Sequence, residues 1–311
     1  MTAATTAATT AVTTAAEGPA ARAALHTRVL DWYSGHARVL PWRDPACSPW
    51  GVLVSEVMLQ QTPVARVLPQ WRAWLERWPT PADLAAEPPG EAVRMWDRLG
   101  YPRRALRLHA AAVAIRDEHG GQVPADHAAL LALPGVGAYT AAAVASFAFG
   151  RRHAVVDTNV RRVHARAVTG DAEPAASLTA AEHRLAVDLL PDDEATAARW
   201  AVAVMELGAL VCTARAPRCD ECPLLDRCAW VLAGRPPHTG PARRGQKWAG
   251  TDRQVRGRLL AVLRGSPDPV TAADLAACWD DAAQRARCLD GLVADGLVEP
   301  LDDGRFRLPH A

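Results

Sequence analysis

Two sets of residues in this sequence have types and spacings that could do chemistry. The first is a carboxylate in apolar surroundings, Glu56 within the run SPWGVLVSEVMLQQT. Ser48-Pro49 reads as a helix N-cap followed by proline at the first helical position. Glu56 then falls about two turns into a helix, with Val52, Leu53, Leu59 and Gln60 three and four positions away. A carboxylate on such a face is hard to ionise, so its pKa should rise. That suits a general acid working near neutral pH. The plainer alternative is a glutamate turned to solvent at the edge of the face. The second set is Cys212, Cys219, Cys222 and Cys228, spaced C-x6-C-x2-C-x5-C. Four thiolates this close can ligate either zinc or an iron–sulfur cluster. A zinc ribbon usually pairs two C-x2-C knuckles, whereas one is present here, so the uneven spacing favours a cluster. Cys47, Cys278 and Cys288 are scattered and read as plain thiols.

Two more stretches present groups at helix starts. In LLALPGVGAYTAAAVASFAFG, Pro134 ends one helix, and Gly135 and Gly137 let the backbone approach something closely. The N–H groups of Val136, Gly137 and Ala138 then sit at a helix N-terminus, an anion site by geometry. A simple helix–helix connection would use the same residues. In GRRHAVVDTNVRRVHAR, Asp157 stands where an N-cap belongs, and a cap can also hold a fixed negative charge toward a ligand.

The elements that must carry these groups are helical. From Leu25 to about Arg235 helix follows helix, with breaks at Pro79-Thr80-Pro81, Pro88-Pro89-Gly90, Gly120-Gly121 and Gly170-Asp171. Trp71, Trp74, Leu75 and Trp78 recur as one buried face, and so do Leu106, His109, Ala110 and Val113. With no alternating strands, this region is expected to be all-α. Residues 1–24 read as a disordered Ala/Thr-rich tail. Residues 25–211 form the helical domain, 212–228 the cysteine loop and 229–248 a linker. Residues 249–311 form a small winged-helix-like unit of three helices, with a two-stranded turn at Asp302-Asp303-Gly304. The formal charge is only +1, but Arg151, Arg152, Arg161, Arg162 and Arg166 cluster, as do the basic residues between Arg243 and Arg258. Such asymmetry is compatible with a basic groove, and ordinary solvated helix faces would give it too. No stretch is long and apolar enough to span a membrane, and the N-terminus is a poor signal peptide. A reducing cytoplasmic setting follows, in which disulfides are not expected.

LPGVGAYTA, then VVDTNVRRV, then the cysteine loop resemble the helix–hairpin–helix DNA glycosylase superfamily with its [4Fe–4S] loop. LPWR (40–43), SEVMLQQT, LGYPRRALRLH and MELGALVC narrow the resemblance to the A/G-mismatch-specific adenine glycosylases, the MutY family, over residues 25–235. It implies two helical subdomains, a [4Fe–4S] cluster on Cys212, Cys219, Cys222 and Cys228, and a monomer acting on double-stranded DNA at the nucleoid. The substrate would be adenine opposite 8-oxoguanine or guanine. Glu56 would protonate the departing adenine at N7, and Asp157 would stabilise the oxocarbenium-like sugar. Tyr139 and Asn159 would lie beside the sugar and Asp157. Trp42 and Arg43 would line the base pocket, Gln61 and Tyr101 would enter the stack, and Glu206 would hydrogen-bond the adenine edge. Gly135, Val136 and Gly137 would hold a backbone phosphate, and Arg215 and Arg218 would grip others. Tyr139 stands where the related endonuclease III carries a lysine, so strand cleavage is not expected.

The chain departs from the family in three places. Pro102 follows Tyr101 where a second tyrosine is common, Thr158 replaces a glycine, and the last 75 or so residues are too short and helical for a Nudix-like reader of 8-oxoguanine. That tail is expected to add phosphate contacts rather than base reading. Two other readings stay open: a thymine or pyrimidine glycosylase of the same fold, and a non-catalytic iron–sulfur DNA-binding protein.

Overall fold

The computed structural model describes residues 18–240 and 248–310. Its helices, in chain order, are α1 (Pro19–His36), α2 (Pro49–Leu59), α3 (Val64–Arg77), α4 (Pro81–Ala85), α5 (Pro89–Trp96), α6 (Arg103–Glu118), α7 (His127–Ala132) and α8 (Ala138–Phe149). There follow α9 (Thr158–His164), α10 (Ala180–Asp188), α11 (Glu194–Leu210), α12 (Ala229–Leu232), α13 (Asp252–Gly265), α14 (Ala272–Ala276) and α15 (Ala282–Ala294). A short antiparallel pair, β1 (Glu299–Pro300) with β2 (Phe306–Arg307), closes the order. The all-α expectation holds, and these are the named strands among the described residues.

The chain divides into two compact units, each built from two separate stretches. One takes residues 18–39 and 150–240. Its core gathers Val29 and Trp32 of α1, Val160 and Val163 of α9, and Trp200, Val204 and Leu207 of α11. The last residues of α9 pass into one π-helical turn, Ala165–Thr169, on which α12 packs. The other unit takes residues 40–149 and 248–310. Its core holds Leu53, Met58, Trp74, Trp78, Trp96 and Leu108, and it runs without a break into Val255, Leu259, Leu260 and Leu263 of α13.

The C-terminal residues 249–310 therefore share one core with residues 40–149. Apolar residues on α13 pack against α15 and α14 and extend the core that holds Trp96 and Val93 of α5. Polar contacts fasten the joint: the Arg94 guanidinium donates to the carbonyls of Leu263 and Ser266, Arg264 Nε to the Val93 carbonyl, and Gly90 N–H to the Pro309 carbonyl.

Boundaries follow local chemistry. Ser48 caps α2 through the Gly51 N–H, and Thr80 and Thr179 form capping boxes with Asp83 and Glu182. The expected tail yields to α1 at Pro19, not after residue 24, with residues 1–17 outside the described residues. The linker begins as a helix, α12, and residues 241–247, with the basic Arg243, Arg244 and Lys247, also lie outside them. Trp71, Trp74 and Trp78 are buried as expected. On α6, however, the buried stripe is Arg104, Ala105, Leu108, Ala111, Ala112 and Ile115, while Ala110 is exposed. The Ala-rich helix offers two stripes of equal spacing, and packing against α4 and α5 selects this one.

Candidate active site

Glu56 lies inside α2, 5% exposed, among Leu53, Val57 and Met58. It does not turn to solvent. The Tyr139 hydroxyl, from the first turn of α8, donates to Glu56 Oε2 at 3.0 Å. Beside it, Gln60 Nε2 donates to the Thr140 hydroxyl at 3.3 Å. Ser55, buried next to Glu56, donates to the Val52 carbonyl, which satisfies it within the helix. Trp42 is a core residue, edge-on to Trp71 at 5.7 Å between ring centroids. Arg43 is partly exposed.

The hairpin before α8 has the expected form. Gly135 sits at φ +76°, and a Cβ there would stand 2.5 Å from Arg107 Cβ, so the turn excludes any side chain. Val136 is buried and anchors the turn, while Gly137 and Ala138 are exposed ahead of the helix N-terminus.

Gln61 and Tyr101 are both exposed, and both adopt positive φ, +54° and +46°. For tyrosine that is a strained backbone, of a kind that collects at functional sites. One buried side chain, Arg104, supports both turns. Its guanidinium donates to the carbonyls of Val57, Gln60 and Gly100 at 2.7–3.1 Å, and to the Thr62 hydroxyl at 3.1 Å. Among the described residues no carboxylate pairs with it. Burial lowers its pKa to about 10, which still leaves it charged at neutrality. The sequence treated Arg104 only as part of LGYPRRALRLH. Its place in the i, i+4 stripe with Leu108 was the signal.

In the other unit Asp157 caps α9, accepting from the N–H groups of Asn159 and Val160 at 2.8 and 2.7 Å. The Asn159 side-chain amide donates to the other carboxylate oxygen at 2.7 Å. Burial nevertheless holds its pKa above the usual carboxylate range, against the pull of those hydrogen bonds and of Arg162. Arg162 donates to Asn159 Oδ1, to the Gly208 carbonyl and to the Cys212 carbonyl, so a line of contacts joins Asp157 to the cysteine loop. Gly208 makes this possible: a Cβ on it would lie 2.7 Å from Asn159 Cβ.

Glu206 lies in α11. It is fully enclosed, and Arg38 grips both its oxygens, Nε to Oε1 at 2.8 Å and Nη2 to Oε2 at 2.6 Å. A bidentate guanidinium fixes the orientation of this carboxylate. The basic cluster is corrected. Arg161, Arg162 and Arg166 are buried and bond internally, Arg161 with Glu182 and Arg166 with Glu173, so only Arg151 and Arg152 of that group reach the surface. Arg218 pairs with Glu221, and Arg215 is exposed.

Cys212, Cys219, Cys222 and Cys228 line one pocket, with Val211, Leu225 and Trp230. All four are free thiols, and their mutual repulsion adds to burial in pushing Cys222 up to about 12. Four thiols lining one pocket supply the ligand number of a [4Fe–4S] cluster. Arg166 donates toward Cys212 Sγ at 3.6 Å and lies over the Trp230 ring, which braces one wall.

Residues 54–186 match the model of the HhH-GPD superfamily base excision DNA repair protein, and residues 212–228 that of the iron-sulfur binding domain of endonuclease III. An adenine DNA glycosylase of Mycobacterium tuberculosis is 56% identical over 284 residues, covering 91% of this chain and 93% of that one. One of Mycolicibacterium smegmatis is 57% identical over 281 residues, covering 90% and 94%. Among solved structures, a thermostable thymine-DNA glycosylase superposes with TM-score 0.61 at 28% identity, over 68% of this chain and 97% of that one. The chain belongs to the adenine DNA glycosylase family.

Proposed function

We propose that this adenine-specific DNA glycosylase hydrolyses the N-glycosidic bond of adenine paired with 8-oxoguanine or guanine, and leaves the strand uncut. We further infer that it acts as a monomer, in the cytoplasm at the nucleoid. The observation that carries the catalytic reading is Glu56, enclosed in α2 with the Tyr139 hydroxyl on its carboxylate. Neutral adenine is a poor leaving group. An acid in an apolar pocket that admits an extruded base can protonate N7 and let it go. Asp157, fixed as a cap by two backbone N–H groups and Asn159, supplies negative charge to the developing oxocarbenium sugar. This is the two-carboxylate logic of glycoside cleavage. Glu56, ionised by the first step, then takes a proton from the incoming water.

Tyr139 cannot form a Schiff base with the sugar, which supports glycosylase action without lyase action. Gln61 and Tyr101, exposed on strained turns, fill the space that the extruded base leaves in the stack. Gly135, Val136 and Gly137 bind a phosphate at the start of α8. Cys212, Cys219, Cys222 and Cys228 would hold the cluster, which shapes the loop that carries Arg215 and supplies no step of the reaction.

The test is excision from duplexes with adenine opposite 8-oxoguanine, guanine or cytosine, read with and without alkali. Adenine release opposite the first two, with strand breaks only after alkali, is expected. Release of thymine instead, or breaks without alkali, would overturn the reading.

A further inference from the structure

Tyr101 is exposed and strained, and its ring has an unexpected neighbour. Arg253, in the first turn of α13, sets its guanidinium carbon 5.0 Å from the centre of the Tyr101 ring and 5.4 Å from that of Trp248. On the Tyr101 side Arg104 adds a second guanidinium at 5.6 Å, itself 5.2 Å from Trp96. Cations and rings thus alternate from the core at Trp96 to the surface at Trp248, which is 54% exposed. Among the described residues Arg253 makes no ion pair and no hydrogen bond, so these two rings account for its position. The helix that carries it is fixed, because Val255 and Leu259 are sealed into the core shared with α5 and α6.

We propose that Arg253, backed by Trp248, is a positioning residue for Tyr101. The C-terminal unit then holds the ring that enters the base stack, and excision opposite a given base depends on that unit. This rests on the reading of Tyr101 as an inserting residue. It departs from the expectation that the C-terminal unit only adds phosphate contacts. The physical reason is that a guanidinium over an aromatic face fixes the ring and leaves its donors free toward nucleic acid.

The test compares wild type with Arg253→Ala, Arg253→Lys, Tyr101→Ala and the Ala–Ala double variant on duplexes with adenine opposite 8-oxoguanine or guanine. Single-turnover excision is one readout. The other is the fluorescence of a 2-aminopurine placed beside the opposite base, which reports ring insertion. Arg253→Ala is expected to slow excision about two- to fivefold and to shrink the fluorescence change. It should add nothing in the Tyr101→Ala background, and Arg253→Lys should recover part of the loss. Trp248→Leu, which approaches the stack from the other side, should act in the same direction more weakly. Additive effects of Arg253→Ala and Tyr101→Ala would overturn the inference. So would uniform weakening on matched and mismatched duplexes with a salt slope lower by about one, the signature of a phosphate contact. If Tyr101→Ala alone leaves excision and fluorescence unchanged, the inserting role of Tyr101 fails and the inference falls with it, a result distinguishable by that single variant.

Discussion

Glu56 and Tyr139 lie 83 positions apart in the chain, and one hydrogen bond joins them. Glu56→Gln keeps the shape of the side chain and removes its proton. Excision is expected to fall by roughly 10²–10⁴ with DNA affinity retained, and a single-turnover rate close to wild type would sink the assignment. Tyr139→Phe removes one hydrogen bond to a carboxyl and should cost about ten- to a hundredfold in the same assay. A quieter titration sits in α9. His164 is wholly buried, its Nε2 has no hydrogen-bond partner in the structure, and burial drops its pKa to about 4 from 6.5. Between those values the unfolded chain binds the proton and the native one does not. Stability is therefore complete above pH 6.5 and declines as pH falls toward 4, by about 3 kcal/mol at most. Urea titrations across that range should show the decline, and His164→Leu should flatten it.

At the scale of elements, Arg104 ties the turn after α2 to the turn before α6. Arg104→Met removes a charged donor from the carbonyls of Val57, Met58, Gln60 and Gly100, of which Gln60 keeps the Thr62 hydroxyl and Gly100 keeps Trp96 Nε1. A loss of roughly 2–5 kcal/mol is expected, visible as a lower melting temperature together with slower excision. An unchanged melting temperature would remove this side chain from the account. Much of this level was legible in advance. Ser48, Asp157 and the Pro and Gly breaks marked helix ends because capping is local chemistry, and the spacing of four cysteines is readable anywhere. The buried stripe of α6 was not, because alanines made two faces equally apolar and only packing chooses. Nor were the partners of Glu206 and Arg162, which depend on which helices meet. Charge counting misled for a related reason: an arginine that caps carbonyls inside a core looks the same in sequence as one that faces DNA.

At the scale of the molecule, the cysteine loop and the C-terminal helices make separate claims. Purified protein should be yellow-brown with about four irons, and Cys222→Ser should lose the colour along with soluble yield. Stoichiometric zinc in anaerobic preparations would contradict a cluster on these four thiolates. Deleting the chain after residue 236 would strip α13 from the core shared with Trp96 and Leu108. The expected result is a lower melting temperature and aggregation, in addition to weaker DNA binding. A truncated chain as stable as the full one would mean that α13 contributes little to that core.

The same shared core fixes an order of events in biosynthesis. Residues 40–149 leave the ribosome early, yet their core is completed by Leu263, Leu292 and Leu308. Translation of the intervening 159 residues, from 149 to 308, takes roughly 8–30 s at bacterial and eukaryotic rates. Until then the part of the core that Leu263, Leu292 and Leu308 close is open to solvent. A slow stretch of codons before residue 250 would lengthen that exposure without changing a single amino acid.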